Sequence, residues 1–272
     1  MSEFFELFSY GYVVRAFIVG IMVSVCASLL GVTLVLKKYS MIGDGLSHVG
    51  FGAMTVALCL NVAPLYIAVP IMFASAFLLL RLRENSSINT DAMIAVISSS
   101  SIAIGVLAAS LSGGMNVDVY SYMFGSILAV TETDVLISSL LCSVIIIVYL
   151  LFYNRIFAVT FDEGFASASG IKTKGFNIAF ALLTAATIVG GMRIMGTMLI
   201  SGLIIFPAIT GMKLFGSYKK VTICAVTVSV VAFLSGMLAS CIFTYIPAGA
   251  GIIVADLILL LIATVVSRFK KI

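Results

Sequence analysis

The sequence predicts an all-α, polytopic helical membrane protein with about nine (eight or nine) transmembrane helices. Hydrophobic residues make up 62% of its 272 positions and charged residues 10%, against roughly 25% charged in soluble domains. Mean hydropathy is +1.26. Nine apolar runs approach the roughly 20 residues needed to cross a bilayer: 13–36, 42–60, 62–80, 91–112, 133–153, 176–191, 194–212, 221–243 and 250–267.

Taken in order, the runs carry their own punctuation. Ser2 to Tyr10 contains Glu3 and Glu6 but no basic residue, unlike the start of a cleaved signal peptide, so the first run reads as part of the mature chain. Lys37 and Lys38 close it. The second and third runs are joined by almost nothing and the sixth is short, so one of these reads equally as a broken or re-entrant piece, giving eight crossings. Small residues recur at Ser98 to Ser101 with Gly105, at Gly190, Gly191 and Gly196, and at Gly249 and Gly251, which suits close backbone contact between helices. Pro207, in IIFPAIT, removes one backbone hydrogen bond from the seventh run and marks a bend or a flexing point. Neither an internal repeat nor a low-complexity linker divides the chain, so residues 1–272 read as one transmembrane domain.

The charges orient this domain. With the N-terminus outside and the C-terminus cytoplasmic, Lys37, Lys38, Arg81, Arg83, Arg155, Lys172, Lys174, Lys213, Lys219, Lys220, Arg268, Lys270 and Lys271 all fall inside, leaving only Arg15 and Arg193 of the fifteen basic residues elsewhere. The positive-inside rule therefore favours an odd number of crossings. The net charge of +4 reflects these orienting loops, and the implied partner is a lipid bilayer rather than nucleic acid. Five cysteines, Cys26, Cys59, Cys142, Cys224 and Cys241, are widely spaced in apolar stretches without CxxC pairing. They read as small packing residues rather than a disulfide framework or zinc knuckle.

One stretch breaks the apolar pattern. In MIGDGLSHVG, residues 41–50, the chain's single histidine stands four positions after an aspartate. One helical turn places Asp44 and His48 on the same face. An ionised aspartate in a span costs a few kcal/mol and so faces protein or a watery cavity. An oxygen and a nitrogen donor at matched height suit divalent zinc, iron or manganese. On spacing alone, a simple Asp–His hydrogen bond or a helix cap explains the pair equally well. Asp256, in GIIVADLILLL, is a second acid within a span, either a buried structural acid or a participant in transport. HExxH, GxSxG and GxxxxGK[ST] are all absent, so the chain carries no evident hydrolase site and no nucleotide-binding loop of its own. A single histidine and no matched carboxylate pair leave little for an embedded enzyme.

The stretch DGLSHVGFG after a basic turn resembles the D-x-L-S-H-x segment of the membrane permeases of ATP-binding-cassette importers for zinc, manganese and iron. SYMFGSILAVTETDV at 121–135, FDEGFASASGI at 161–171 and GGMRIMGTMLISGLIIFPAIT at 190–210 follow in that family's order and spacing. Gly45, Glu163 and Asp256 depart from its usual residues. The resemblance implies that Asp44 and His48 contact the metal in transit, with no permanently bound cofactor. It also implies a cytoplasmic coupling helix at about 160–172. There Asp162 and Glu163 lie at the positive end of a short helix while Phe165, Ala166 and Ala168 offer a small apolar surface. The implied partners are a cytoplasmic ATPase subunit, an extracellular metal-binding protein and a second copy of the permease, in a prokaryotic cell membrane. An importer of a larger metal chelate and a gradient-driven secondary transporter remain alternatives.

Overall fold

Helices begin and end where the apolar runs meet polar or left-handed residues. The computed structural model describes residues 11–85, 90–112, 123–125, 131–243 and 245–270. Among them are eleven helices and no strand: α1 (Gly11–Leu36), α2 (Ser40–Cys59), α3 (Pro64–Asn85), α4 (Thr90–Leu111), α5 (Glu132–Leu151), α6 (Tyr153–Phe161), α7 (Glu163–Ala168), α8 (Thr173–Met195), α9 (Thr197–Leu214), α10 (Tyr218–Ile242) and α11 (Ala248–Lys270).

Each of the nine apolar runs is a helix of its own. The second and third runs are separate, because Asn61 takes a φ of 55° and turns the chain between them. The sixth run, short as an apolar stretch, lengthens to 23 residues because Thr173, Lys174 and Asn177 supply a polar opening to α8. Over their described residues, seven of the nine are long and apolar enough to cross a membrane by length and composition. The other two are α2, diluted by four glycines with Asp44, Ser47 and His48, and α9, which carries the shorter apolar stretch Leu199–Leu214 among the described residues.

Contacts at the two ends show that these nine helices alternate in direction. At one end, Arg15 of α1 pairs with Glu132 at the start of α5, and Gly196, between α8 and α9, abuts residues 123–125. At the other, the Tyr218 hydroxyl at the start of α10 bonds Thr33, late in α1, at 3.0 Å and Tyr149, late in α5, at 2.8 Å.

The central element is α1, with 72% of its apolar window buried, against 22% for α4 and for α11. It packs on α5, α8, α9 and α10. The outer helices expose Ile104, Leu107, Leu140, Ile147, Ile258 and Leu261, an apolar surface that suits lipid rather than water. Inside, hydroxyls satisfy carbonyls between helices: Ser229 of α10 donates to Ser24 at 3.0 Å and Ser138 of α5 to Gly190 at 2.7 Å. The Cys26 thiol lies 3.4 Å from the Cys142 carbonyl and helps seat α1 on α5.

Backbones meet where side chains vanish. A Cβ on Gly31 of α1 would lie 2.0 Å from the Ile204 carbonyl oxygen of α9, and one on Gly52 of α2 would lie 2.5 Å from the Ser101 carbonyl oxygen of α4. Neither carbonyl can rotate away as a side chain could, so valine at either position forces two helices apart at a cost near the top of about 1–3 kcal/mol. Gly31→Val and Gly52→Val are expected to lower both the yield of monodisperse protein and its thermal midpoint in detergent. Gly175→Ala, whose added Cβ meets nothing within 4 Å, is expected to leave both unchanged or raised. Size-exclusion profiles and thermal melts check this; an unaltered melt for Gly31→Val would contradict the close crossing.

Candidate functional site

The polar pair is placed by an elbow. At the end of α1, Lys38 takes a φ of 57°, and its N–H donates to the Val35 carbonyl at 3.0 Å while that of Tyr39 donates to Leu34 at 2.7 Å. These two bonds stop the helix in the left-handed Schellman manner, and α2 restarts at Ser40. Asp44 falls in the second turn and His48 one turn later, with Asp44 Oδ2 3.5 Å from His48 Nε2 and side chains 35% and 18% exposed. Ser47 donates its hydroxyl to the Asp44 carbonyl at 2.7 Å.

Neighbouring helices enclose this segment. The Cβ direction of Gly45 points at Ile94 and Ser98 of α4, that of Gly43 at Ile204 of α9, and that of Gly50 at Met72 of α3 and Thr197 of α9. Buried Ser201 of α9 supplies a hydroxyl to the Asp44 carboxylate. Ser201 was not legible as a site residue; its only signal was being a hydroxyl within the fourth family-like segment.

Metal–nitrogen and metal–oxygen bonds of about 2.0–2.2 Å at a tetrahedral angle separate two donors by about 3.4 Å. The observed 3.5 Å between Oδ2 and Nε2 therefore lets the pair share one divalent ion with little rearrangement. Among the described residues, no third His, Cys, Asp or Glu joins them. His48 Nδ1 is buried without a hydrogen-bond partner there, whereas a tightly held metal ligand ordinarily donates its second ring N–H to an oriented acceptor.

The second predicted element lies at the same end of the bundle as the elbow. Asp162 caps α7, its Oδ1 accepting the Phe165 N–H at 2.8 Å. The helix stops at Gly170, with φ of 85°, where Ile171 N–H donates to Ala166 and Gly170 N–H to Ser167, each at 3.0 Å. Phe165 projects outward, 67% exposed, but Ala166 is fully buried. This corrects the expected apolar surface: successive helical residues point about 100° apart, so while Phe165 faces out its neighbour Ala166 packs inward. Glu163, half-exposed, accepts the Asn177 amide at 2.6 Å.

The remaining candidates stand apart from the pair. Pro207 lies inside α9, three residues beyond the Ile204 carbonyl that meets Gly31. Asp256 of α11 is fully buried, and neither carboxylate oxygen has a hydrogen-bond partner among the described residues. Of the segment at 121–135, residues 121, 122 and 126–130 lie outside the described residues, as does Lys271 of the charge map; the side chain of Arg193 is likewise outside them.

Alternating membrane helices, an enclosed two-donor polar pair and a short capped helix beyond the bundle define a membrane permease rather than an enzyme. Residues 9–267 match the ABC 3 transport family, and the chain belongs to that family, whose members are permease subunits served by a separate ATPase. It is a multi-pass protein of the bacterial plasma membrane. It is 30% identical over 252 residues to the high-affinity zinc uptake system membrane protein ZnuB of Buchnera aphidicola, covering 92% of this chain and 95% of that one. To the manganese transport system membrane protein MntC of Halalkalibacterium halodurans it is 24% identical, covering 92% and 85%. Among solved structures, PsaBC from Streptococcus pneumoniae in complex with Fab superposes with a TM-score of 0.84 at 26% identity, covering 96% of this chain and 94% of that one.

A buried carboxylate without a partner costs stability, about 1–3 kcal/mol or more. Asp256→Asn and Asp256→Leu are therefore expected to raise the thermal midpoint of the purified permease. A lowered midpoint in both would show that the carboxylate is held by groups beyond the described residues.

Proposed function

We propose that this chain forms the translocation path of an ATP-driven importer of divalent transition-metal ions, zinc or manganese, with iron(II) in the same chemical range. The observation that carries this reading is the Asp44–His48 pair, an oxygen and a nitrogen donor 3.5 Å apart on an enclosed helix. The names of the Buchnera and Halalkalibacterium relatives, one a zinc and one a manganese protein, support the same class of cargo. Such donors bind all these ions, so the pair sets the class rather than the individual metal.

In this reading the basic end of the bundle, with Lys37, Lys38, Arg155, Lys172, Lys213 and Lys219, is cytoplasmic, and the N-terminus is outside. The pair then lies toward the inner end of α2. A site of two protein donors, completed by water or by Ser201, holds an ion weakly enough to release it. When the ion takes His48 Nε2, the ring proton moves to Nδ1, where no described acceptor awaits it; this weakens the hold further. Asp256 belongs to the packing of α11 and not to the path, and Pro207 lets α9 bend beside Ser201.

Two permease copies work with two copies of a cytoplasmic ATPase and receive the ion from an extracellular metal-binding protein. The residues 160–172 form the coupling element: Asp162 builds the helix and Phe165 is the apolar side chain that enters the ATPase. ATP binding displaces these elements and rocks the helices between outward and inward openings. A gradient-driven carrier would move metal without nucleotide.

Asp44→Ala and His48→Ala are each expected to abolish metal-dependent growth and uptake while the protein still reaches the membrane. Wild-type uptake in both would remove the pair from the path. Phe165→Asp is expected to weaken copurification of the ATPase or to uncouple hydrolysis from transport; normal association together with normal uptake would count against docking through α7.

A further inference from the structure

Three polar side chains at the basic end have no part in metal contact or ATPase docking. Lys37, the residue after α1, carries an ammonium yet is nine-tenths buried, its side chain 9% exposed. Its Nζ lies 2.5 Å from Asn177 Oδ1. The Asn177 amide donates in turn to Glu163 Oε1 at 2.6 Å, and Glu163 Oε2 lies 3.8 Å from the ammonium. The Tyr39 ring covers the same ammonium at 5.2 Å. The void beside them, lined in part by Lys37, Tyr39 and Asn177, measures about 10 Å³. That is at most room for one water, so the three groups bind each other directly.

Each of the three belongs to a different segment. Glu163 opens the coupling helix α7, Asn177 lies in the first turns of α8, and Lys37 begins the elbow between α1 and α2. A buried ammonium keeps its hydrogen-bond acceptors close, because losing one costs it a charge-assisted bond. The three therefore shift together or not at all. Next to Lys37 stands Lys38 with φ of 57°, a left-handed conformation that a residue with a side chain keeps only where its surroundings hold it. From Ser40, the first residue of α2, Asp44 is about 6 Å along the helix axis.

We infer that Lys37, Asn177 and Glu163 form a clasp that transmits displacement of the coupling helix to α2 and so repositions Asp44 and His48. All three are positioning residues, acting on the ion only through the elbow. The inference rests on the reading of α7 as the ATPase-docking helix but is separable from it, because Phe165 docks while the clasp transmits.

The test uses the permease copurified with its ATPase and binding protein, reconstituted in vesicles, with ATP hydrolysis and uptake of Zn(II) or Mn(II) followed together. Asn177→Ala is expected to retain the ATPase on purification and to lower the metal moved per ATP about fivefold or more. Glu163→Ala does the same, and the double variant is no worse than either single one, since one clasp is broken once. Glu163→Gln keeps an acceptor for the Asn177 amide and restores most of the ratio, a recovery that general structural damage would not show. An unchanged ratio in Asn177→Ala, or losses that multiply in the double variant, overturns the clasp. Should Asn177→Ala fail to reach the membrane, the comparison of Glu163→Ala with Glu163→Gln, at a half-exposed side chain, decides the same question. Phe165→Asp serves as control: if association and transport survive it, the docking reading fails; if they are lost while Asn177→Ala couples normally, only the clasp does.

Discussion

The rest of this structure depends on helix backbones coming into contact at residues without side chains. In lipid, helices gain little by hiding apolar surface from one another, so association rests on close van der Waals packing and on polar groups meeting across interfaces. Gly31 against the Ile204 carbonyl and Gly52 against the Ser101 carbonyl are two such crossings, both next to the polar pair. They set α1 against α9 and α2 against α4, and everything around the polar pair inherits its position from them.

The same crossings make the candidate site possible. A helix carrying an aspartate, a histidine and four glycines is poorly suited to face lipid, and α2 falls short of the hydropathy that its neighbours reach. Its glycines draw α3, α4 and α9 close, and that enclosure gives Asp44 protein and a serine hydroxyl instead of hydrocarbon. The feature that makes the helix a poor lipid-facing span thus makes it a good lining for a path. The start of α2 is governed by a different rule: the left-handed Lys38 and the buried Lys37 tie it to Asn177 of α8 and Glu163 of α7.

Much of this was legible in the chain. All nine apolar runs correspond to helices because length and hydropathy alone decide whether a segment can satisfy its backbone within a bilayer. Asp44 and His48 could be paired from spacing, since four residues is one turn in any helix. Asp162 as a cap could be read from its place before an apolar run, and Gly170 closes the same helix four residues after the buried Ala166. The two points of ambiguity, the 60–63 connection and the short sixth run, resolved toward separate helices for local reasons: a left-handed Asn61 in one and a polar first turn in the other.

What the sequence by itself determined was the class of solvent, the order of the nine apolar helices, and the one place where an oxygen and a nitrogen donor share a face. These follow from residue type and from fixed helical periodicity. Only the tertiary structure decided that Ser201 stands beside Asp44, that Ala166 faces inward while Phe165 faces out, that Asp256 is buried without a described partner, and that half-exposed Glu163 reaches Asn177 and Lys37. Those are relations between helices far apart in the chain, and no spacing rule along a single helix encodes which face of one meets which face of another.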